Sequence, residues 1–473
     1  MIVRPTFPTI YTTARLCWRA RAGAGLIEYV YLLYSVATLL ALVVLSPYLL
    51  YQALRYNKYV GSLGQRLGYL PVSFNLDAEE SIWVHAVSVG EVLAARPIVS
   101  GLRARYPELR VFLSTTTLSG QNVARRNVPD ADAVFYLPLD WTFTIRRTLD
   151  IVKPKLFVMV ETEIWPNLLR ECRRRGIKTA LVNGRISHRS FPRYRLVRPF
   201  IRRVLSDIDR LCVQGEETAR RLRQLGANPA RVTVTGSLKF DSLDPSTAPG
   251  RGRERVLRFF RISPGRLVLV AGSTSKGEED AVIRAFNRVR TTAAGGNALL
   301  ILAARHPERF DEVERLCQRE GLSTIRRSDL PIDAEPRADA VIVNTIGELA
   351  QLYQIATAVF VGGSLVPMGG HNILEPAVHG KPIVFGPHME NFAEIAGAFL
   401  ANGAAVQVRT SRELEDVVVG LMADPVRRAR LGAAARALVD ANRGAKDTTL
   451  KVLAELFPPR QPPAVVRPFR VIH

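Results

Sequence analysis

FVGGSLVPMGGHNILEP, residues 360–376, decides the fold. It opens as an apolar run of the kind that forms a buried strand, passes through two glycine pairs, and turns into a helix at Asn372. Strand, glycine turn and helix in that order are the repeating unit of a parallel α/β sheet. Glycines at such a turn let a backbone approach a ligand closely. With Asn372 as N-cap, the first helical turn offers N–H donors and the positive dipole end, a place for a phosphate. Asn372 and Glu375 also have capping-box spacing, which would give the carboxylate a purely local job.

Working outward, short β-rich runs alternate with helical stretches on both sides. A first series, IWVHAV, VFLSTT, LFVMV, TALVN and RLCVQ, covers residues 82–214, and a second, LVLVAG, ALLILAA, AVIVN, TAVFVGG and PIVFG, begins at Leu267. Two doubly wound halves follow. Ligands of open α/β sheets bind beyond the carboxyl ends of strands, so the residue after each run matters. The first half offers Ser88, Gly90, Glu91, Thr115 to Thr117, Glu161, Glu163, Asn183, Arg185 and Gln214; the second offers Gly272, Ser273, Thr274, Arg305, His306, Asn344, Gly362, Gly363 and Ser364. Two such sets predict a ligand cleft between domains. Pro245, Pro249, Gly250 and Gly252 mark a linker, with the boundary near residue 245.

The chain of 473 residues carries 65 Lys and Arg against 43 Asp and Glu, a formal charge of +22, so its partners are anionic. The densest basic tract, Ser187 to Arg203, is interleaved with Phe191, Tyr194 and Phe200, which suits a membrane interface as well as a solvated helix face. Tyr29 to Tyr51 has no charged residue and is long enough as a helix to cross ~30 Å of hydrocarbon. Arginines precede it and Arg55, Lys58 and Arg66 follow, so the positive-inside rule gives no orientation. The four cysteines, Cys17, Cys172, Cys212 and Cys317, lack metal-ligand or disulfide spacing and point to a reducing compartment.

HAVSVGE, ETEIWPN, NGRIS, GSLKFD and GGSLVPMGGHNILEPA, taken together, resemble the Kdo transferase family from about Pro47 to Leu456. Those enzymes move 3-deoxy-D-manno-octulosonic acid (Kdo) from CMP-Kdo to a lipid A precursor. The resemblance implies a GT-B fold: two Rossmann-like domains, 53–245 for the acceptor and 246–457 for CMP-Kdo, after a leader (1–25) and a membrane anchor (26–52), with a Pro-rich tail (458–473). It implies Glu91 as catalytic base, and Ser88, Gly90, Thr116, Glu161, Glu163 and Arg185 as acceptor-side residues. For the donor it implies Lys239, Ser273, Thr274, Arg305, His306, Gly347, Gly363, Ser364, Gly370, His371, Asn372 and Glu375, the last at the ribose hydroxyls. The expected partners are CMP-Kdo, lipid IVA and anionic inner-membrane lipids, with the catalytic domains on the cytoplasmic face and no nucleic acid.

Glu91 also reads as a first-turn carboxylate, whose helix dipole would lower its pKa. Glu161 and Glu163 would point to opposite faces if the strand before them persisted. Asn344 stands where the resembling family has an acidic residue, and keeps hydrogen-bonding shape without charge. Asp130-Ala-Asp132 and Asp207-Ile-Asp209 spell D-x-D but fall away from the strand ends, so neither metal nor other cofactor is expected. Two further readings remain: a GT-B transferase using a UDP-sugar, and a non-catalytic tether that binds nucleic acid or anionic lipid through charge, which leaves the Glu91 and Gly369 to Glu375 motifs without a job.

Overall fold

The computed structural model describes residues 29–47, 60–187, 190–242, 261–331, 334–345 and 347–458. The expected leader, the ends of the anchor, the boundary near residue 245 and the tail beyond Pro458 lie outside the described residues. Two compact units form, one from Met1–Ser242 together with Gly444–His473, the other from Leu243–Arg443.

The first unit is built on seven parallel strands: β1 (Ser81–His85), β2 (Arg110–Thr115), β3 (Ala133–Tyr136), β4 (Pro154–Val160), β5 (Lys178–Gly184), β6 (Arg210–Val213) and β7 (Val232–Val234). Their order in the sheet is β3-β2-β1-β4-β5-β6-β7. Every residue of β1 is buried, because crossover helices cover both faces of a parallel sheet. Alternate residues feed the two cores: Trp83, Phe112 and Phe157 pack into one, Ile82, Val84, Leu113 and Val158 into the other.

The second unit repeats the plan with β8 (Val268–Thr274), β9 (Leu299–Ala304), β10 (Thr324–Arg326), β11 (Ala340–Ile342), β12 (Ala358–Val361), β13 (Ile383–Phe385) and β14 (Val406–Gln407). Its order is β10-β11-β9-β8-β12-β13-β14. The sequence predicts five strands in each half. The additional ones, β3, β7, β10 and β14, have two to four residues and carry no long apolar run.

The division of the chain is not linear. The Ala445–Leu456 helix, expected in the second domain, returns to the first unit and buries Leu450, Val452 and Leu453 in the core that holds Ile98 and Leu102. Asp241 fixes its start by accepting the N–H groups of Gly444 (2.9 Å) and Lys446 (2.8 Å). Leu450 packs over Gly101, where a Cβ would lie 2.2 Å from Leu450 Cδ1 and force that side chain to shift.

One helix among the described residues, Tyr29–Pro47, is long and apolar enough to cross a membrane. Part of it is docked on the first unit. Tyr31 donates to Asp207 (3.1 Å), Asn167 donates to Ser35 (3.0 Å), Trp141 donates to Thr38 (3.2 Å), and Tyr34 is hydrogen-bonded to Asp140. Positions 31, 34, 35 and 38 form one helical face. Leu33, Leu40, Val43 and Val44 are exposed.

Leu453→Ala removes a fully buried side chain from the first unit. It is expected to lower that unit's stability by about 2–5 kcal/mol, read from denaturant unfolding. A loss confined to the second unit would place the C-terminal helix there instead.

Candidate functional site

In the first unit, β1, β2, β4 and β5 end side by side, with His85 opposite Ser114 on β2 and Met159 on β4. The residues just past these ends make the site. Ser88 is the N-cap of the Val89–Arg105 helix, and Glu91 lies in its first turn. Glu91 accepts the Val87 N–H (2.8 Å) and the Ser88 hydroxyl (3.0 Å). Those are capping bonds, and they favour the ionised form. Burial outweighs them and, with the negative charges of Glu161 and Glu163, pushes the Glu91 carboxyl up to about 7. The lowered pKa expected from the helix dipole is therefore not what this environment produces. Beside Glu91, a Cβ on Gly90 would meet nothing within 4 Å, so the space next to Gly90 is open.

Strand β4 stops at Val160, and Glu161 takes a left-handed conformation (φ 62°). A glutamate there is strained. The strand does not persist, so Glu161 and Glu163 are not sent to opposite faces: both act on Glu91. Lys239 lies 3.7 Å from Glu161. Burial and the charge of Glu161 push the Glu163 carboxyl up to about 7 as well. Glu163 lies 4.0 Å from the Nε2 of His85, which is fully buried and held neutral by burial, its pKa lowered to about 3.

Asn183, at φ 54° near the end of β5, accepts the Leu238 N–H (3.0 Å) and so holds the loop that carries Lys239. The Arg185 carbonyl accepts from Thr162. Thr116 joins the same edge through its N–H to the Val87 carbonyl (3.3 Å) and its carbonyl to Arg66 (2.5 Å). Seven of the expected side chains thus share one edge of this sheet. Lys239, expected on the donor side, belongs to this unit and to Glu161. His85, the first residue of HAVSVGE, was not among the expected site residues.

In the second unit, Ser273 (φ 55°) and Thr274 end β8, and the Thr274 carbonyl accepts the Arg305 N–H (2.9 Å). Arg305 and His306 are close enough to act electrostatically on His371, whose pKa is lowered to about 4, mainly by burial. Glu375 is raised by burial, against the opposing effects of the Asn372 amide (3.1 Å) and Arg305. Asn372 is not the N-cap: the helix spans Leu374–Ala377, and Asn372 accepts the Leu374 N–H (3.1 Å) from just outside it. One turn carries little macrodipole, so the expected phosphate-binding helix end is reduced to a few local donors. A Cβ on Gly370 would strike Met389 Sδ at 2.3 Å, and one on Gly363 would lie 2.9 Å from the His371 ring, which explains both glycines as packing. Gly347 (φ 92°) borders open space.

The sequence reading missed Glu278. Fully buried, it accepts four backbone N–H groups: Ser275 (2.8 Å), Gly363 (2.7 Å), Ser364 (2.9 Å) and Leu365 (2.8 Å). The amides of Gly363, Ser364 and Leu365 are thus committed to a carboxylate of the protein, and the Gly362 N–H donates to the Gly272 carbonyl (2.8 Å). Ser364 is fully buried, its hydroxyl donating to Val361 and accepting from Gly386, so it is a structural residue. The available signal was the Ser275 to Glu278 spacing, a capping pattern. Asn344 is bonded both ways to Ser328 and shapes a loop. Three of the four D-x-D carboxylates are also engaged within the fold: Asp132 with Val111 and Arg103, Asp207 with Arg173 and Arg203, Asp209 with Thr179. Among the described residues no group of three His, Cys, Asp or Glu is gathered to hold a metal.

Two Rossmann-like sheets, one ending in three carboxylates with a lysine and the other in a glycine-bounded His-Asn-Glu cluster, have the architecture of the GT-B class. The family model described as 3-deoxy-D-manno-octulosonic-acid transferase matches residues 61–242. The 3-deoxy-D-manno-octulosonic acid transferases of Haemophilus influenzae and Bordetella pertussis are 33% and 36% identical, over 84% and 79% of this chain and 91% and 87% of their own. The chain belongs to the 3-deoxy-D-manno-octulosonic acid transferase family. A UDP-GlcNAc 2-epimerase from Neisseria meningitidis shares the fold at 11% identity, with TM-score 0.54 over 80% of this chain and all of its own. The C-terminal CMP-Kdo binding domain of WaaA from Acinetobacter baumannii is 33% identical, covering 37% of this chain and 90% of its own, with TM-score 0.35.

Two variants test these environments. Glu163 holds its proton to about pH 7 in the folded chain, against an ordinary 4.5. The folded state therefore binds more protons between those values, and the stability this supplies is full below about 4.5 and lost as pH rises through 7. Glu163→Gln should exceed the parent in stability by about 1–3 kcal/mol at about pH 8 and match it at about pH 4.5, read from paired melting curves. Glu278→Ala leaves four backbone donors without their acceptor and should cost about 3–5 kcal/mol in chemical denaturation of the second unit.

Proposed function

We propose that the protein transfers Kdo from CMP-Kdo, with inversion, to lipid IVA, the phosphorylated lipid A precursor, in lipopolysaccharide synthesis. The observation that carries the reading is Glu91: a carboxylate in its family's motif, beside open space at Gly90, with its pKa raised to about 7. A general base works best when its pKa lies near the working pH. Glu91 takes the proton of an acceptor hydroxyl as that oxygen bonds to the Kdo anomeric carbon, on the face opposite the CMP phosphate. The bond from that carbon to the phosphate oxygen breaks, and CMP leaves with the electron pair.

Glu161 and Glu163 keep Glu91 basic, and Lys239 balances part of their charge. Arg185 is assigned to an acceptor phosphate or the sugar carboxylate. In the second unit, Arg305, His306, His371, Asn372 and Glu375 are assigned to the nucleotide, with Ser273, Thr274 and Gly347 shaping the approach. The Tyr29–Pro47 helix anchors the protein to the cytoplasmic face of the inner membrane, where anionic lipids meet its basic surface.

Purified protein incubated with CMP-Kdo and tetraacylated disaccharide bisphosphate should yield an acceptor heavier by whole Kdo units; transfer from a UDP-sugar instead would overturn the donor assignment. Only ionised Glu91 accepts a proton, so kcat/KM should rise with pH through about 7 and then level. Glu91→Gln should lower kcat by about a hundred- to ten-thousand-fold. Near-normal turnover in that variant would remove Glu91 as the base.

A further inference from the structure

His85 ends β1 fully buried, and its Nε2 has no hydrogen-bond partner. Folded proteins leave few buried polar atoms in that state. The ring proton can be placed by counting partners. Trp83 donates its indole N–H to the Ser114 hydroxyl (2.7 Å), and an indole can only donate. The hydroxyl's own hydrogen then needs an acceptor, and among the described residues His85 Nδ1, at 2.8 Å, is the one within reach. The Ser114 carbonyl, 3.1 Å from the same nitrogen, already accepts the Ala86 N–H (3.0 Å). A proton on Nδ1 would strand both the hydroxyl hydrogen and the Nε2 lone pair. A proton on Nε2 leaves a single donor unpaired, with Glu163 Oε2 4.0 Å away.

Glu163 stands among groups of its own sign. Glu161 acts on it, both act on Glu91, and Lys239 lies 3.7 Å from Glu161. From the Phe191–Leu196 helix, Tyr194 faces it as a phenol that burial keeps protonated. The Trp165 indole N–H, buried without a hydrogen-bond partner, favours the ionised form. A turn of the Glu163 side chain that closes about 1 Å would bring its oxygen to bonding distance of Nε2. A guanidinium or ammonium in place of His85 would also favour ionised Glu163, but its charge would reach Glu91 and weaken the base. His85 is held neutral by burial, its pKa lowered to about 3, so it offers Glu163 a donor without a charge.

We propose that His85 is a positioning residue of the transfer reaction, whose Nε2–H bonds to Glu163 and holds that carboxylate ionised beside Glu91. Trp83 and Ser114 fix the tautomer that makes Nε2 the donor, and the charge kept on Glu163 maintains the basicity of Glu91. The inference rests on Glu91 as the base, proposed above.

Full-length protein in mild detergent carries the test in two readings. In the first, the stability gap between chains with Glu163 and with Glu163→Gln is followed against pH in the parent, His85→Phe, Ser114→Ala and His85→Gln. Without the donor the folded-state pKa of Glu163 rises further above its unfolded value, so the stability its proton supplies persists to higher pH. The midpoint should lie about one pH unit higher in His85→Phe. The same rise is expected in Ser114→Ala, where the ring proton returns to Nδ1 and the bare Nε2 favours the protonated acid; that variant keeps the test open should His85→Phe fail to fold. His85→Gln, whose amide restores a donor, should stay near the parent. In the second reading, the rising limb of kcat/KM should move to lower pH by about half a unit in His85→Phe and Ser114→Ala, because Glu91 then titrates beside a neutral neighbour. The shift should vanish once Glu163→Gln is also present. An unmoved or lowered midpoint in these two variants overturns the role of His85. A midpoint that rises while the limb stays put counts instead against Glu91 as the base.

Discussion

Parallel pairing is the constraint from which the rest follows. Because all seven strands of each sheet run the same way, each sheet delivers its chain ends to one edge, and residues far apart in sequence become neighbours there. His85, Glu91, Thr116, Glu161, Glu163 and Arg185 come from four different strand ends. No local element could gather them. The burial of β1 throughout, and of β4 and β5 beyond Lys155 and Lys178, is what fixes that edge, since a slip in register would move every side chain to the wrong face.

The two units treat buried carboxylates in opposite ways. Glu278 is saturated with backbone donors, which makes it a fastener for the Gly362 to Leu365 loop. Glu91 has two donors, but it also has two carboxylates for neighbours and is shielded from water, and burial wins. Capping geometry and basicity are therefore compatible in one residue: the bonds to Val87 and Ser88 aim the carboxylate, and its surroundings set the proton affinity. Left-handed backbone at Glu161 and Asn183 belongs to the same design, since it turns the chain sharply enough to keep Glu161 near Glu91 and Lys239 near Glu161.

Much of this was legible from the chain. Long apolar runs ending in polar residues gave ten of the strands, and motif resemblance named Glu91. What escaped depends on tertiary partners. Strands β10 and β14 are edge strands of three and two residues, too short to carry a pattern. The return of the Ala445–Leu456 helix rests on Asp241 and on the space at Gly101, neither of which has a local signature. The glycines of GGSLVPMGG read as room for a ligand, whereas at Gly363 and Gly370 the neighbours are His371 and Met389. Asn372 looked like an N-cap because its spacing to Glu375 is right, and the chain meets that spacing with a side-chain amide to carboxylate bond instead.

Hydropathy alone describes Tyr29–Pro47 as a uniform apolar rod, because Tyr, Ser and Thr pass such a test unremarked. Helical spacing divides it. Tyr31, Tyr34, Ser35 and Thr38 fall on one face and take partners from the segments before β6 and after β3 and β4. Asp207 lies before β6 and so toward the amino edge of the sheet, while Trp141 and Asn167 follow β3 and β4 at the carboxyl edge. From Tyr31 to Thr38 the helix therefore runs from the amino edge toward the carboxyl edge, and its unpartnered end continues past it. That is the edge where Glu91 stands. A helix held by four hydrogen bonds cannot swing as a tether does, so its direction is set by the same sheet edge on which Glu91 stands.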